Sequence, residues 1–391
     1  MISKFHLNRV HTFVELLLGR ERPTNVPFLI MHEPTTLCNL ECPACPTGEK
    51  LIDIKERARH DHFRTVLREF EECIDTCYLY NWGEPTMSKE FADILRLLSG
   101  RPFTVAVSTN FSVPLKDDAL NVIACMPNLD LKIDLDGSEQ KTIEKYRKNA
   151  SAEIIFSNLR RLAKAVRESE TRPKRIYIQM LKFNHNQHQV EDVSNIAKAC
   201  GFDFFVVNEP LTAEGSSGPN HIKLFREFGC TWLYAATCIS PELTHMAPCC
   251  GVWARSQFDE IEDKSLYDSY KNGELIQARR RHDKTFLMNP DRAEILRVNS
   301  TGVKGMQLDQ LSLNRDICEK CAMGQEYQAK AKRIIMSAID SFSTLTGGVA
   351  QIGQRLMTEK LPKFVAAGAT NPLYERLISS LEMPQPLYRR T

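Results

Sequence analysis

The sequence has almost no net charge and no long apolar segment. Its 391 residues contain 51 Lys and Arg against 49 Asp and Glu, which gives no electrostatic reason to expect binding to nucleic acid or an anionic surface. No stretch approaches the ~20 apolar residues of a membrane-spanning helix. The apolar run near the N-terminus covers only Phe13–Leu18 and contains Glu15, so it does not have the pattern of a signal peptide.

Cysteine, by contrast, is abundant. Thirteen cysteines in a chain without an export signal indicate a reducing, cytoplasmic compartment, where clustered thiols hold metal more often than they form disulfides. The hydrophobic share of 42% is that of a globular protein, and the length suffices for two domains. The cysteines predicted to be small buried core residues are Cys73, Cys77, Cys125 and Cys200.

Short apolar segments of β type alternate with longer charged helical patterns between residues 28 and about 210. Six strands alternating with helices predict βαβ units, an α/β fold and a mainly parallel sheet. Periodicity does not distinguish an open doubly wound sheet from a partial barrel, but in both the ligands lie at loops after the C-terminal strand ends. The strand candidates are 28–34, 77–81, 103–109, 129–135, 175–181 and 203–208, and the helix candidates are 56–71, 90–98, 117–124, 139–168 and 189–200.

Three cysteines with the spacing C-x3-C-x2-C directly follow the first strand candidate, in the segment "CNLECPAC". A structural zinc site needs four protein ligands and a disulfide needs two. Three thiolates can hold three corners of a [4Fe–4S] cubane and leave the fourth iron open to a small chelator. Cys38, Cys42 and Cys45 are therefore predicted to bind such a cluster. The alternatives are a chance grouping and part of a zinc site.

This loop resembles the cluster loop of the radical SAM (S-adenosylmethionine) superfamily, and three further segments resemble that family in the same order. "NWGEP" at 81–85 looks like its Gly-Gly-Glu-Pro segment, "VSTNF" at 107–111 like its Ser-Thr-Asn segment, and "DLDG" at 134–137 followed by "YR" like its S-x-D-G and Y-R. Each segment alone is an ordinary turn or cap. Their order behind successive strands favours the family.

The resemblance implies a partial (β/α)6 barrel that binds a [4Fe–4S] cluster and S-adenosylmethionine. In the family, backbone groups and the Glu of the Gly-Gly-Glu-Pro segment meet the amino group of the methionine moiety. Two residues depart from the family pattern: Ala44 replaces a bulky residue before the third cysteine, and Trp82 replaces the first Gly. Neither change removes a cluster ligand. The cofactor contacts implied by the resemblance are Gly83, Glu84, Pro85, Ser108, Asn110 and Asp136.

A second set of cysteines follows a Gly/Ser/Pro/Asn-rich boundary at 214–221. Its order resembles the auxiliary-cluster domains called SPASM and twitch, in which a Cys before a hairpin, a Cys after it and a late C-x2-C bind an additional [4Fe–4S] cluster. One auxiliary cluster of twitch type is implied, and a four-thiolate zinc site is the alternative. The implied ligands are Cys230, Cys249, Cys318 and Cys321. Cys250 is the alternative to Cys249 as the second ligand. Cys238 is expected to be a strand residue inside the hairpin.

These patterns predict four segments: an N-terminal helical extension (1–27), a radical SAM core (28–213), an auxiliary-cluster domain (222–325) and a helical C-terminal extension (326–391). The resemblance implies an enzyme that cleaves S-adenosylmethionine reductively, takes electrons from a donor such as flavodoxin or ferredoxin, and abstracts a substrate hydrogen atom. Oxidation of a small sugar, polyol or aminocyclitol is favoured. Radical modification of a ribosomally made peptide and a non-catalytic Fe–S or zinc scaffold are the alternatives. The residues do not identify a catalytic proton acceptor.

Overall fold

The computed structural model describes residues 4–18, 20–43, 45–52, 54–208, 232–247, 258–261, 265–277 and 280. The chain divides into two compact units, one made of 28–217 and 236–270 and the other of 1–27, 218–235 and 271–391. Within the described part, no helix is long and apolar enough to cross a membrane. The predicted site residues that lie outside the described residues are Ala44, Cys230, Cys249, Cys250, Cys318 and Cys321.

The described helices of the unit that contains the N-terminus include α1 (Lys4–Leu18) and α8 (Trp232–Ala235). Buried asparagines hold it together. Asn8 Nδ2 donates to Val26 O over 2.7 Å, and Asn25 Nδ2 donates to Tyr234 O over 2.7 Å. These bonds satisfy backbone carbonyls that would otherwise be buried without a partner.

The other unit is built on one sheet whose described strands lie in the order β6-β5-β4-β3-β2-β1-β7-β8-β9. Strands β1 to β6 are parallel and follow one another in chain order, and β7 continues the sheet parallel to β1 on its other side. Strand β8 is antiparallel to both of its neighbours, β7 and β9. The strands are β1 (Leu29–His32), β2 (Thr76–Tyr78), β3 (Thr104–Thr109), β4 (Leu129–Asp134), β5 (Arg175–Leu181), β6 (Phe204–Asn208), β7 (Ala236–Ile239), β8 (His245–Ala247) and β9 (Asp259–Glu260).

The sequential order of β1 to β6 answers the question that periodicity leaves open. In a doubly wound sheet the order of the strands reverses at a switch point, so helices cover both faces. Right-handed crossovers between strands that lie in chain order place every helix on one face instead. The sheet therefore has the arrangement of a barrel wall. The helices of this unit are α2 (His60–Phe70), α3 (Phe91–Leu98), α4 (Asp117–Cys125), α5 (Gln140–Tyr146), α6 (Ala152–Glu168), α7 (Val190–Cys200) and α9 (Leu266–Asn272).

The two faces of the sheet differ in polarity. Along β4, Leu131 and Ile133 are fully buried, whereas Lys132 and Asp134 are half-buried. Strand β5 alternates in the same way, and its Gln179 pairs with Asp134 in the register. Because strand side chains alternate between faces, the apolar set packs under the helices and the polar set lines the inner face.

Two details differ from the sequence prediction. The predicted helix 139–168 is two helices, because Asn149 has a left-handed φ of 71° and the Ser151 hydroxyl caps α6 by accepting from Ile154 N. Cys125 is exposed and Cys200 is half-buried, so the prediction of a buried core position is wrong for both; each is the last residue of its helix. Cys238 lies buried in β7 inside the β7–β8 hairpin, as predicted.

Candidate functional site

The cysteine loop that follows β1 is closed by tight backbone turns. Cys45 N donates to Cys42 O over 3.3 Å, and Glu49 N donates to Cys45 O over 2.8 Å. A Cβ at Gly48 would lie 2.3 Å from Cys42 O and 2.6 Å from Cys42 N. Only glycine therefore fits at position 48, because a side chain there would enter the backbone of the loop.

The thiols of Cys38, Cys42 and Cys45 are free and half-buried. Burial raises the pKa of Cys38 to about 12 and that of Cys42 to about 11, and the thiol of Cys45 raises both pKa values further. Each of three free thiolates on one loop can bind one iron of a cubane, so the donor set fits a [4Fe–4S] cluster.

Amide donors surround the first of these sulfurs. Leu40 N donates to Cys38 Sγ over 3.4 Å, and Asn110 Nδ2 donates to the same sulfur over 3.8 Å. Asn110 Nδ2 also donates to Asn39 Oδ1 over 3.0 Å, so the loop after β3 is tied to the cysteine loop. Hydrogen bonds to cluster sulfurs are one of the means by which proteins adjust Fe–S clusters. Asn110, predicted as a cofactor contact, thus contacts the cysteine loop itself.

A buried cation stands near the second sulfur. Burial raises the pKa of Cys42 and is the larger effect, whereas the charge of Arg147 lowers it. Arg147 Nε donates to Asp136 Oδ2 over 2.7 Å, and Asp134 lies 3.9 Å from the guanidinium. Asp136 is fully buried, and its other oxygen accepts from Leu181 N over 2.7 Å. Both oxygens of Asp136 therefore accept protein hydrogen bonds, and the residue holds Arg147 in place.

Glu84 joins the loops after β2 and β3. Its Oε1 accepts from Thr86 N (3.1 Å), Thr86 Oγ1 (2.6 Å) and Thr109 Oγ1 (2.6 Å), and its Oε2 accepts from Asn110 N over 2.8 Å. Burial raises the pKa of this carboxyl, and the four donors act against that rise. Glu84 also caps the short helix that begins at Pro85.

The turn before Glu84 is packed against the cysteine loop. A Cβ at Gly83 would lie 1.8 Å from Thr35 O, so no side chain fits there. Glu84 N donates to Leu37 O over 2.8 Å, and Thr47 Oγ1 donates to Trp82 O over 2.8 Å. The turn is therefore bonded to both ends of the cysteine loop.

Glu33 is a site residue that sequence reasoning missed. It lies directly after β1, and its Oε2 accepts from Trp82 N over 2.9 Å and from Gly83 N over 2.7 Å. Burial raises the pKa of Glu33 to about 7. The signal in the sequence was an acidic residue at the carboxyl end of an apolar strand, which is where ligand sites form in such sheets.

A row of polar side chains continues along the inner face from this site. Ser108 Oγ donates to Asp134 Oδ2 over 2.7 Å, and Gln179 Nε2 donates to Asp134 Oδ1 over 3.1 Å. Lys132 Nζ lies 5.2 Å from the centre of the Tyr80 ring, which is within the range of a cation–π contact. Ser108, predicted to contact the cofactor, is thus bonded to the neighbouring strand.

The comparison with protein families agrees with this geometry. Residues 32–195 match the model of the Radical SAM superfamily. The matched segment begins at the last residue of β1 and ends in α7, and it contains the cysteine loop and the three segments with family resemblance. The match agrees with the radical SAM resemblance of these segments. That family implies a [4Fe–4S] cluster and S-adenosylmethionine, and the three free thiols of the cysteine loop fit the cluster.

Known relatives resemble parts of the chain. A Pyrococcus furiosus protein described as "Tungsten-containing aldehyde ferredoxin oxidoreductase cofactor-modifying protein" is 25% identical over 189 residues, which are 46% of this chain and 52% of the relative. The chain thus spans about half the length of this curated relative.

Solved structures of Streptococcus suis SuiB show the same fold. SuiB bound to S-adenosylmethionine superposes with a TM-score of 0.54 at 13% identity, covering 68% of this chain and 71% of SuiB. SuiB bound to the precursor peptide SuiA gives a TM-score of 0.51 at 12% identity, covering 68% and 70%. At these identities the similarity concerns the fold alone.

Proposed function

We propose that the chain is a radical SAM enzyme whose cluster is held by Cys38, Cys42 and Cys45 and whose substrate is a small polar molecule. The observation that carries this proposal is the convergence of three free thiols with the loops after β2, β3 and β4 at one end of a parallel sheet. When bound, the cluster and S-adenosylmethionine together supply a 5′-deoxyadenosyl radical that removes a hydrogen atom from the substrate.

The tasks of the protein are to bind, to orient and to exclude water. The proposed cofactor contacts remain those of the family resemblance, and the hydrogen bonds of this structure support their positions. Glu84 and Asn110 fix the loops beside Cys38, and Asp136 fixes Arg147 beside Cys42. The proposed contacts to S-adenosylmethionine are Gly83, Glu84, Pro85, Ser108, Asn110 and Asp136.

The inner face of the sheet supports a substrate that carries hydroxyl or other polar groups. Lys132, Asp134 and Gln179 are half-buried there, next to the site. The Pyrococcus furiosus relative is described as a cofactor-modifying protein, which also favours a small molecule over a peptide. Oxidation of a sugar, polyol or aminocyclitol is the reaction that we propose for this class of substrate.

Net oxidation needs an electron acceptor as well as a donor. We propose that this chain would also hold a twitch-type auxiliary [4Fe–4S] cluster, which would supply the acceptor, and that a flavodoxin or ferredoxin in the cytoplasm would supply the donor. The proposal for the auxiliary cluster rests on cysteine order and on the β7–β8 hairpin that precedes Cys249. Its proposed ligands are Cys230, Cys249, Cys318 and Cys321.

A peptide substrate is the second candidate, and one observation favours it. In the described sheet, β6 is a terminal strand, and its Phe204 and Val207 are 40% and 38% exposed. An extended peptide can add to such an edge by main-chain hydrogen bonds. Product mass after incubation with the two classes of substrate separates this reading from the first, and a non-catalytic scaffold would give no product with either.

The test is anaerobic reconstitution followed by assay of 5′-deoxyadenosine under a strong reductant. Wild-type protein and the variant Cys125→Ala, which removes an exposed thiol, are expected to form 5′-deoxyadenosine. A variant with Cys38, Cys42 and Cys45 all changed to alanine is expected to form none. About four irons retained per chain in that variant would support the auxiliary cluster. Equal product from the variant and wild type would refute the proposal.

A further inference from the structure

Glu33 projects from the carboxyl end of β1 toward the inner face of the sheet. The preceding residue, His32, points to the helix side, where its ring lies 4.3 Å from the ring of Phe63. Met31, two residues before Glu33, pairs in the register with Tyr78 of β2 and Cys238 of β7. Since strand side chains alternate, Glu33 shares the inner face with Met31.

The carboxylate of Glu33 fills a nest of backbone N–H groups. Its Oε2 accepts from Trp82 N over 2.9 Å and from Gly83 N over 2.7 Å, and the backbone of Asn81 also bonds to Glu33. Successive N–H groups in a turn form a concavity that favours an anion. Because each peptide unit has one donor and one acceptor, a turn whose N–H groups are occupied can offer a ligand only its carbonyl oxygens. Carbonyl oxygens accept hydrogen bonds from an amino group.

The surroundings of Glu33 make its charge variable near neutral pH. The residue lines a cavity of about 30 Å³, room for about two water molecules and too small for a substrate. Most of the other lining groups are apolar, among them Met31, Cys238 and Phe258. Burial and the nearby carboxylate of Glu56 raise the pKa of Glu33 to about 7, against the effect of the backbone donors.

We propose that Glu33 is a positioning residue that holds the Asn81–Gly83 turn in the conformation that binds the amino end of S-adenosylmethionine, and that protonation of its carboxylate loosens this turn. The inference rests on the proposed function, because it concerns the same cofactor. An ionised carboxylate accepts hydrogen bonds about twice as strongly as a neutral group. The affinity of the turn for the cofactor is therefore higher when Glu33 is charged, that is, at the higher pH.

The test is equilibrium binding of S-adenosylmethionine to reconstituted protein without reductant, so that no turnover occurs. The readout is the ratio of the Kd of Glu33→Gln to the Kd of wild type, because titration of the cofactor itself cancels in this ratio. We expect a ratio of about five at pH 8 that falls to about one at pH 6, where wild-type Glu33 is also neutral. Iron content is measured for each protein, and both are expected to retain the first cluster.

Two further variants test whether cofactor binding depends on the position of the carboxylate as well as on its charge, and whether a nearby substitution outside the turn affects it. Glu33→Asp keeps a carboxylate but withdraws it from the turn, and it is expected to weaken binding about fivefold at pH 8 and to bind as wild type does at pH 6. His62→Gln removes an imidazole that contacts Pro241 O over 2.8 Å and does not touch the turn, so it should bind the cofactor as wild type does.

The outcomes distinguish this inference from the proposed function. A Glu33→Gln protein with full iron content that binds as tightly as wild type at pH 8, or a Glu33→Asp protein that does so, would overturn the role of Glu33 alone. A ratio that stays constant from pH 6 to pH 8 would overturn the effect of protonation. Wild-type protein that takes up iron but binds no S-adenosylmethionine would overturn both proposals.

Discussion

Arg147 and Asp136 form a buried ion pair beside the cysteine loop. The guanidinium Nε lies 2.7 Å from Oδ2 of the carboxylate, and the two side chains are 10% and 0% exposed. The second oxygen of Asp136 is fixed by Leu181 N, so the pair has one orientation. Burial lowers the pKa of Arg147, but Asp136 and Asp134 together with the other nearby groups raise it by more, so the guanidinium stays charged next to Cys42.

Replacing Arg147 by methionine is expected to lower the reduction potential of the first cluster. Reduction adds a negative charge, and the nearby cation stabilises that charge, so its loss should shift the midpoint on the order of tens of millivolts downward. An EPR-monitored redox titration of reconstituted protein measures this shift. Arg172→Met, which removes the ion pair with Asp203, is the matched control and should leave the midpoint in place. Equal midpoints for all three proteins would contradict the expectation.

Alanine at position 48 is expected to prevent assembly of the first cluster. Its Cβ would lie 2.3 Å from Cys42 O, so the turn that carries Cys42 and Cys45 must open. The measurement is iron content after reconstitution, which should fall by about four per chain, one [4Fe–4S] unit. Gly100→Ala is the control: Gly100 has a φ of 72° and no neighbour within 4 Å of an added Cβ, so the change costs about 1–2 kcal/mol of strain and leaves iron content unchanged. Normal iron uptake by Gly48→Ala would refute the steric argument.

The parts of the fold that sequence predicted are those set by local periodicity. Strand β4 was predicted at 129–135 and is observed at Leu129–Asp134, because alternation of Leu131 and Ile133 with polar residues is a property of one segment. The order of the strands was not predictable in this way. The order depends on which strands each crossover connection brings side by side. Periodicity within a strand carries no information about its neighbours in the sheet.

The cysteine loop was predictable for a different reason: its chemistry lies in one short segment. Glu33 and Gly48 were missed because their roles depend on contacts with backbone atoms of other residues, and the sequence alone does not show which residues come into contact. Glu33 meets the turn some fifty residues later in the chain, and Gly48 matters only because the loop returns onto Cys42. The break between α5 and α6 was missed because helical periodicity continues across Asn149, and only its φ of 71° shows the interruption.

Loss of the Asn158 side chain is expected to destabilise the loop that carries Asn110. Asn158 is 1% exposed; its Nδ2 donates to Phe111 O (3.0 Å) and Val113 O (2.7 Å), and its Oδ1 accepts from Leu115 N (3.3 Å). Phe111 has a left-handed φ of 56°, which a non-glycine residue keeps only when its surroundings hold it. Asn158→Ala leaves these groups buried and unpaired, at a cost of about 2–4 kcal/mol in the free energy of unfolding.

Urea unfolding of the metal-free protein at pH 7 measures this effect. Asn195→Ala, which changes an exposed asparagine of α7, is the matched control and should alter the free energy of unfolding by less than about 0.5 kcal/mol. A similar small change for Asn158→Ala would show that the loop after β3 is held by other contacts.

His32 is expected to make the unit that contains the sheet sensitive to mild acid. Burial lowers the pKa of His32 to about 4, and the hydrogen bond to Ile239 O only partly opposes this effect. The unfolded chain, with an ordinary histidine pKa near 6.5, binds the proton more readily than the folded chain does. Stability is therefore full above about pH 6.5 and is lost as the pH falls toward 4, by about 2 kcal/mol between pH 7 and pH 5.

The variant His32→Asn tests this linkage, because an amide can still donate to Ile239 O but does not titrate. It is expected to be less stable than wild type at pH 7, since it loses the ring contact with Phe63, yet to lose about 2 kcal/mol less on transfer to pH 5. Asn195→Ala, which changes an exposed asparagine of α7 and removes no titrating group, should keep the wild-type dependence on pH. If His32→Asn and wild type lose equal stability between pH 7 and pH 5, a group other than His32 must account for the acid sensitivity.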